Sequence, residues 1–89
     1  MKIEWSAQAR AELDVAIDYI VAESPSGAAR IRKQILDSVG LLADWPDIGR
    51  KGRRGFRELV IPHTPYIVIY RRSARSVTIL RVRHGARRR

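Results

Sequence analysis

At 89 residues and 45% hydrophobic content, the chain has material for one domain spanning 1–89, with a core but no second unit. The absence of cysteine excludes a disulfide framework and any thiolate nucleophile or metal ligand, and with His63 and His84 the only histidines neither a metal site nor a cofactor is expected. The net charge of +9 is unevenly held: residues 1–49 carry five Lys/Arg against eight Asp/Glu (net −3), whereas residues 50–89 carry thirteen against Glu58 alone (net +12), which calls for a polyanionic or acidic counterpart.

The opening Met-Lys-Ile-Glu-Trp-Ser lacks an apolar signal core, and no apolar run approaches the roughly 20 residues of a membrane span, so a soluble cytoplasmic protein without membrane association is expected. Residues 2–5 alternate polar and apolar as a short strand does, with Ile3 and Trp5 on one face. Ser6 can cap a helix whose apolar stripe is Leu13, Ile17 and Ile20, joined by Ala9, Ala16 and Val21, and which stops near Glu23. Glu12, Asp14 and Asp18 lie off that stripe, as a solvated face or as a seat for basic groups. Ser24-Pro25 restarts the chain with a good N-cap followed by a tolerated first-turn proline. Ile31, Ile35, Val39 and Leu42, with Ala28 and Leu36, form the second stripe, and Trp45-Pro46 ends the helix. Two amphipathic helices with so short a connection fold into an antiparallel hairpin.

Asp47 to Gly55 reads as a loop with three glycines and the cations Arg50, Lys51, Arg53 and Arg54. Three strands follow: Phe56–Ile61, then Tyr66–Arg72 after the Pro62-His63-Thr64-Pro65 turn, and Ser76–Val82 after Ser73-Ala74-Arg75. Tyr66–Arg72 is apolar on both faces over most of its length, which marks it as the central strand. Residues 83–89 read as a polar tail. The fold class is α+β, a short N-terminal strand and a helical hairpin packed on one face of a mainly antiparallel sheet, with the basic residues assigned to the other face.

Elimination narrows the chemistry. Gly49, Gly52 and Gly55 precede a strand and are interleaved with bulky cations, which is not the strand–loop–helix context of a phosphate-cradling loop. No local signature arranges a Ser/His/Asp triad. The one reaction worth weighing is RNA cleavage by attack of a 2′-hydroxyl, which needs a base, a cation on the phosphate and an acid for the leaving oxygen. Arg81 and Arg83 can supply the cation and His84 the base or acid, the roles for which histidine is the usual side chain. Tyr66 and Tyr70 either stack on bases or pack at the core edge, and His63, between two prolines, is a turn residue. Recognition without catalysis is the alternative use of a half so rich in arginine.

Several segments, in order, resemble the RelE/ParE superfamily of toxins. Ile3-Glu4-Trp5-Ser6, Ala9, Leu13 and Ile17-Asp18-Tyr19-Ile20 are similar to its opening strand and first helix, and Ser24-Pro25, Ala28-Ala29 and Ile35 to its second. Trp45-Pro46-Asp47-Ile48-Gly49-Arg50 resembles its hydrophobic-Pro-x-hydrophobic-Gly turn and Arg57-Glu58-Leu59 the strand after it. Pro65–Tyr70 and the run from Ile79 to Arg87 complete a match over essentially the whole chain. The resemblance implies a type II toxin neutralised by a cognate acidic antitoxin that is partly disordered until it wraps the toxin, and operon autoregulation through that antitoxin.

Within the family, RelE-like members cut mRNA on the ribosome and ParE-like members bind DNA gyrase and trap its cleaved-DNA complex. In the interferase pattern an arginine commonly follows the tyrosine that begins the central strand and a tyrosine stands near the C-terminus. Here Ile67 follows Tyr66, and the chain ends Ala86-Arg87-Arg88-Arg89. The resemblance therefore points to the ParE-like branch, with no catalytic residues and with target contacts from Arg81, Arg83, His84, Arg87, Arg88 and Arg89. Arg50, Lys51, Arg53 and Arg54 form a second patch. The alternative is a RelE-like endoribonuclease acting on ribosome-bound mRNA through Arg81, Arg83 and His84.

Overall fold

The computed structural model describes residues 1–85. The chain runs β1 (Lys2–Trp5), α1 (Ala7–Val21), α2 (Pro25–Gly40), a 3-10 turn (Leu41–Ala43), β2 (Arg50–Lys51), a second 3-10 turn (Arg53–Gly55), β3 (Arg57–Val60), β4 (Tyr66–Arg72) and β5 (Ser76–His84). The strands form one sheet in the order β1-β5-β4-β3-β2, so β4 is central as its two-faced apolarity predicts. β1 pairs parallel with β5, and every other pairing is antiparallel. This is the α+β architecture expected from the sequence.

Local chemistry sets the helix boundaries. The Ser6 hydroxyl accepts from the Ala9 amide at 3.0 Å and the Ser24 hydroxyl from the Gly27 amide at 3.0 Å, each satisfying a donor that the first helical turn leaves open. Pro25 occupies the first position of α2, where no amide hydrogen is needed. Ala9 and Leu13 of α1 and Ile35 and Val39 of α2 are buried with Leu42 against Val68, Tyr70, Val77, Ile79 and Val82 of the sheet. Ile17, Ile20, Ile31 and Leu36 pack around this core as partly buried residues. No helix among the described residues is long and apolar enough to cross a membrane.

The structure corrects the sequence reading at several points. Val21, assigned to the apolar stripe, is exposed at the end of α1. The second helix ends at Gly40 and tightens into the 3-10 turn before Trp45 is reached. The segment read as a loop from Asp47 to Gly55 contains β2, whose Arg50 and Lys51 pair with Glu58 and Arg57. The last strand does not stop at Val82 but continues through Arg83 and His84, which pair with Ile67 and Tyr66. A register shift between Ile69 and Tyr70 leaves Leu80 as the extra residue of β5.

Side chains alternate across β4: Tyr66, Val68 and Tyr70 are buried under the helices, and Ile67, Ile69 and Arg71 take the opposite face. That face is therefore not uniformly basic, as Ile67 and Ile69 form an apolar centre with Arg71 and Arg83 toward its two ends.

Candidate functional site

The first candidate surface follows from the shortness of β1. That strand covers β5 only from Ser76 to Ile79, after which the chain turns into α1. Ser6 makes the turn, donating its amide to the Ile79 carbonyl at 2.9 Å and its hydroxyl to the Leu80 carbonyl at 3.1 Å. Beyond it, the outer edge of β5 faces a helix instead of a strand. Glu12 reaches that edge from α1. Its carboxylate accepts from Arg81 Nε at 2.9 and 3.2 Å and from the Val82 amide at 2.9 Å, and pairs with Arg81 Nη2 at 2.9 Å. One acid thus satisfies a backbone donor that has no strand partner and holds the guanidinium beside it. Of the three acids noted on the first helix, Glu12 is the seat for a basic group.

Next to this anchor lies an open groove of about 400 Å³ between α1 and the far halves of β4 and β5. Val15 and Tyr19 form its helical wall and are 69% and 60% exposed, a large apolar area left uncovered. Tyr66, Val82 and His84 line it from the sheet. The Tyr66 and His84 rings meet edge to face, with centroids 5.4 Å apart and planes at 81°. Arg83 alternates to the opposite face, opposite Ile67. The three residues weighed for RNA cleavage are accordingly divided: Arg81 on Glu12, His84 against Tyr66, Arg83 across the sheet.

The second surface is the cationic connection between β2 and β3, and a buried tyrosine holds its base. Tyr70 is wholly buried; its hydroxyl donates to the Pro46 carbonyl at 2.8 Å and accepts from the Gly49 amide at 2.9 Å. Only glycine fits at position 49, since a Cβ there would lie 2.6 Å from both the ring and the hydroxyl of Tyr70. Burial pushes the Tyr70 pKa up, opposed in part by the Gly49 hydrogen bond and the charge of Arg57. Arg57 donates to the Gly49 carbonyl at 2.9 Å and the Asp47 carbonyl at 3.2 Å, and Arg72 donates to the Asp47 carboxylate at 2.9 Å. From this base the chain turns outward through Arg54 (φ 58°) and Gly55 (φ 80°). Arg50 pairs with Glu58 at 2.9 Å, whereas Lys51, Arg53 and Arg54 are exposed.

The two tyrosines weighed as base-stacking groups are thus packed, Tyr70 in the core and Tyr66 beneath the groove. His63 is a turn residue, at φ 64°. Arg87, Arg88 and Arg89 lie outside the described residues. No group of His, Asp or Glu side chains among the described residues is gathered so as to hold a metal ion. Sequence reasoning missed Glu12 as the partner of Arg81 and Tyr70 as the anchor of the loop. The only signals were an acid near an apolar stripe and a tyrosine in an apolar strand.

The family model described as "ParE toxin of type II toxin-antitoxin system, parDE" matches residues 3–89. The chain is 43% identical over 85 residues to "Putative toxin Y4kP" of Sinorhizobium fredii, covering 94% of this chain and 88% of that protein. It is 35% identical over 86 residues to "Toxin RelE2" of Caulobacter vibrioides, covering 97% of each. "Toxin RelE3" of the same organism is 32% identical over 89 residues, covering 98% of this chain and 97% of that protein. Among solved structures, a chain of the "Chromosomal ParDE TA system from P. aeruginosa" superposes with a TM-score of 0.84 at 26% identity, covering 94% of this chain and 95% of that one.

Proposed function

The chain belongs to the ParE toxin family of type II toxin–antitoxin systems, and from that premise we propose that it acts in the cytoplasm, as one domain of residues 1–89, by binding DNA gyrase and stabilising the cleaved-DNA complex of that enzyme. The observation that carries this reading is the dispersal of Arg81, Arg83 and His84. Cleaving RNA requires base, cation and acid about one phosphate, and these side chains are spread over an edge, a groove and the opposite face. A toxin that acts by occupying its target needs no such convergence. Its contacts come from Arg83 and His84 at the end of β5, from Arg87, Arg88 and Arg89 beyond it, and from Arg50, Lys51, Arg53 and Arg54. Arg81 contributes from its seat on Glu12.

The cognate antitoxin, in this reading, is an acidic segment that lays apolar side chains against Val15 and Tyr19 in the groove and turns its carboxylates toward the basic half of the toxin. A second reading, a ribosome-dependent mRNA interferase, is favoured by the likeness to the two Caulobacter toxins RelE2 and RelE3.

A purified supercoiling assay separates the two. With gyrase and ATP the chain should accumulate enzyme-linked double-strand breaks. A variant ending at Gly85 and carrying Arg83→Ala should lose this effect while still binding the antitoxin. That end point keeps β5 whole, whereas a cut before Arg83 would remove strand residues paired with β4. Intact gyrase activity together with cleavage of mRNA on translating ribosomes would overturn the proposal in favour of the second reading.

A further inference from the structure

The register of the sheet gathers charges that are far apart in sequence. Arg57 pairs with Tyr70 in antiparallel sense, so the residues before Arg57 continue past Tyr70 toward Arg71 and the turn between β4 and β5. The Arg71 guanidinium confirms this placement, 5.7 Å from the centroid of the Phe56 ring. One end of the sheet thus brings Lys51, Arg53 and Arg54 beside Arg71 and Arg75. All five are exposed, and none has an ion pair among the described residues. Two acids on the neighbouring segments are already engaged, Asp47 with Arg57 and Arg72 and Glu58 with Arg50. At about 3.4 Å per residue, this end is separated from the Arg83–Ile67 pair by roughly 17 Å along β4.

We propose that this end of the sheet is a binding site for the phosphate backbone of duplex DNA, contacted by Lys51, Arg53, Arg54, Arg71 and Arg75. Phosphate oxygens suit clustered guanidinium donors, and five cations without an ion pair among the described residues can take up phosphates and release counterions without breaking an existing salt bridge. A duplex is favoured over a single strand because single-strand sites add bare aromatic rings on which bases stack. The ring packed against these cations, Phe56, is half-buried and covered by Arg71. The site shares Lys51, Arg53 and Arg54 with the gyrase contacts proposed above, but duplex binding is measured without gyrase, so the two readings can fail separately.

The test is the salt dependence of binding by the full-length chain to a labelled duplex of about 20 base pairs, measured by fluorescence anisotropy between about 50 and 200 mM salt. The variant Lys51→Gln/Arg53→Gln/Arg54→Gly, with glycine chosen because position 54 has φ 58°, should reduce the slope of log K against log salt by about 2.7, or ~0.9 per lost contact. A charge-matched variant, Arg10→Gln/Arg30→Gln/Arg32→Gln, removes exposed helical arginines and should leave the slope nearly unchanged. Circular dichroism melting checks that both variants fold. Absence of duplex binding by the unaltered chain, equal losses in both variants, or tighter binding to single-stranded RNA of the same length would each overturn the proposal.

Discussion

At the scale of single residues, Glu12 holds the most consequential position. Its carboxylate serves as the local substitute for a strand, taking the Val82 amide while clamping Arg81. The two side chains are 25% and 35% exposed, so solvent screens the pair and much of the value lies in the backbone hydrogen bond. Glu12→Ala should lower the unfolding free energy by about 1–2 kcal/mol, since an amide and a guanidinium both lose their acceptor. Glu12→Gln retains a carbonyl oxygen for Val82 and should lose roughly half as much. Urea unfolding of the three proteins checks this, and equal midpoints would show that the clamp contributes nothing. The sequence displays Glu12 as an acid beside an apolar stripe, but its partner lies 69 residues away and depends on where β1 ends. No local pattern encodes that.

Among the elements, the helices were the most legible. Ser6 and Ser24 are found at the caps, with their hydroxyls on the expected amides, because capping is decided within four residues. Four of the five strands were legible, in their order of occurrence but not in their full extent. β2 is only two residues long and exists because Glu58 and Arg57 lie opposite it, a fact of register and not of propensity. The end of β5 reads as a polar tail, yet the alternation continues, with Val82 and His84 toward the groove and Arg83 away. A histidine resting on a tyrosine ring is half-buried despite its polarity.

The link between β4 and the cationic connection is testable through Tyr70. Tyr70→Phe removes the acceptor of the buried Gly49 amide and the donor to Pro46, and should cost about 1–3 kcal/mol. That difference should also depend on pH. Because the Tyr70 pKa is raised in the folded state, its contribution is complete below the ordinary value of 10.0 and declines as pH rises from there toward the folded value. The stability gap between the unaltered chain and Tyr70→Phe should therefore narrow above pH 10. A gap independent of pH would contradict burial as the cause of the shift.

On the scale of the whole molecule, the charge segregation visible in the sequence becomes spatial. Of the ten cations among the described residues from Arg50 onward, seven stand on strands, with one group at the β2–β3 end and another at the close of β5. Sequence reading joined these groups as one functional set with a second patch. Their separation to opposite ends follows from an antiparallel register that composition cannot reveal. Such a concentration of like charge opposes compaction, so the free protein should gain stability as salt screens it. Raising ionic strength from about 20 to about 200 mM should increase the melting temperature by about 5 °C, equivalent to ~1 kcal/mol for a domain of this size. A fall over the same range would mean that attractive pairs such as Arg81–Glu12 outweigh the repulsion.

The pairing of β1 with β5 sets an order of assembly during synthesis. Lys2 waits for Ser76 and Trp5 for Ile79 before the first strand has a neighbour, whereas α1 and α2 can pack as soon as both have been made. Closing such long loops is entropically slow, and local helical contacts form first. Until β5 docks, Glu12 has neither the Arg81 guanidinium nor the Val82 amide to bind, and the sheet wall of the groove beside Val15 and Tyr19 is missing. The groove proposed above for the antitoxin therefore exists only once β5 has joined β4 and α1, so the surface a partner would need forms together with the sheet itself.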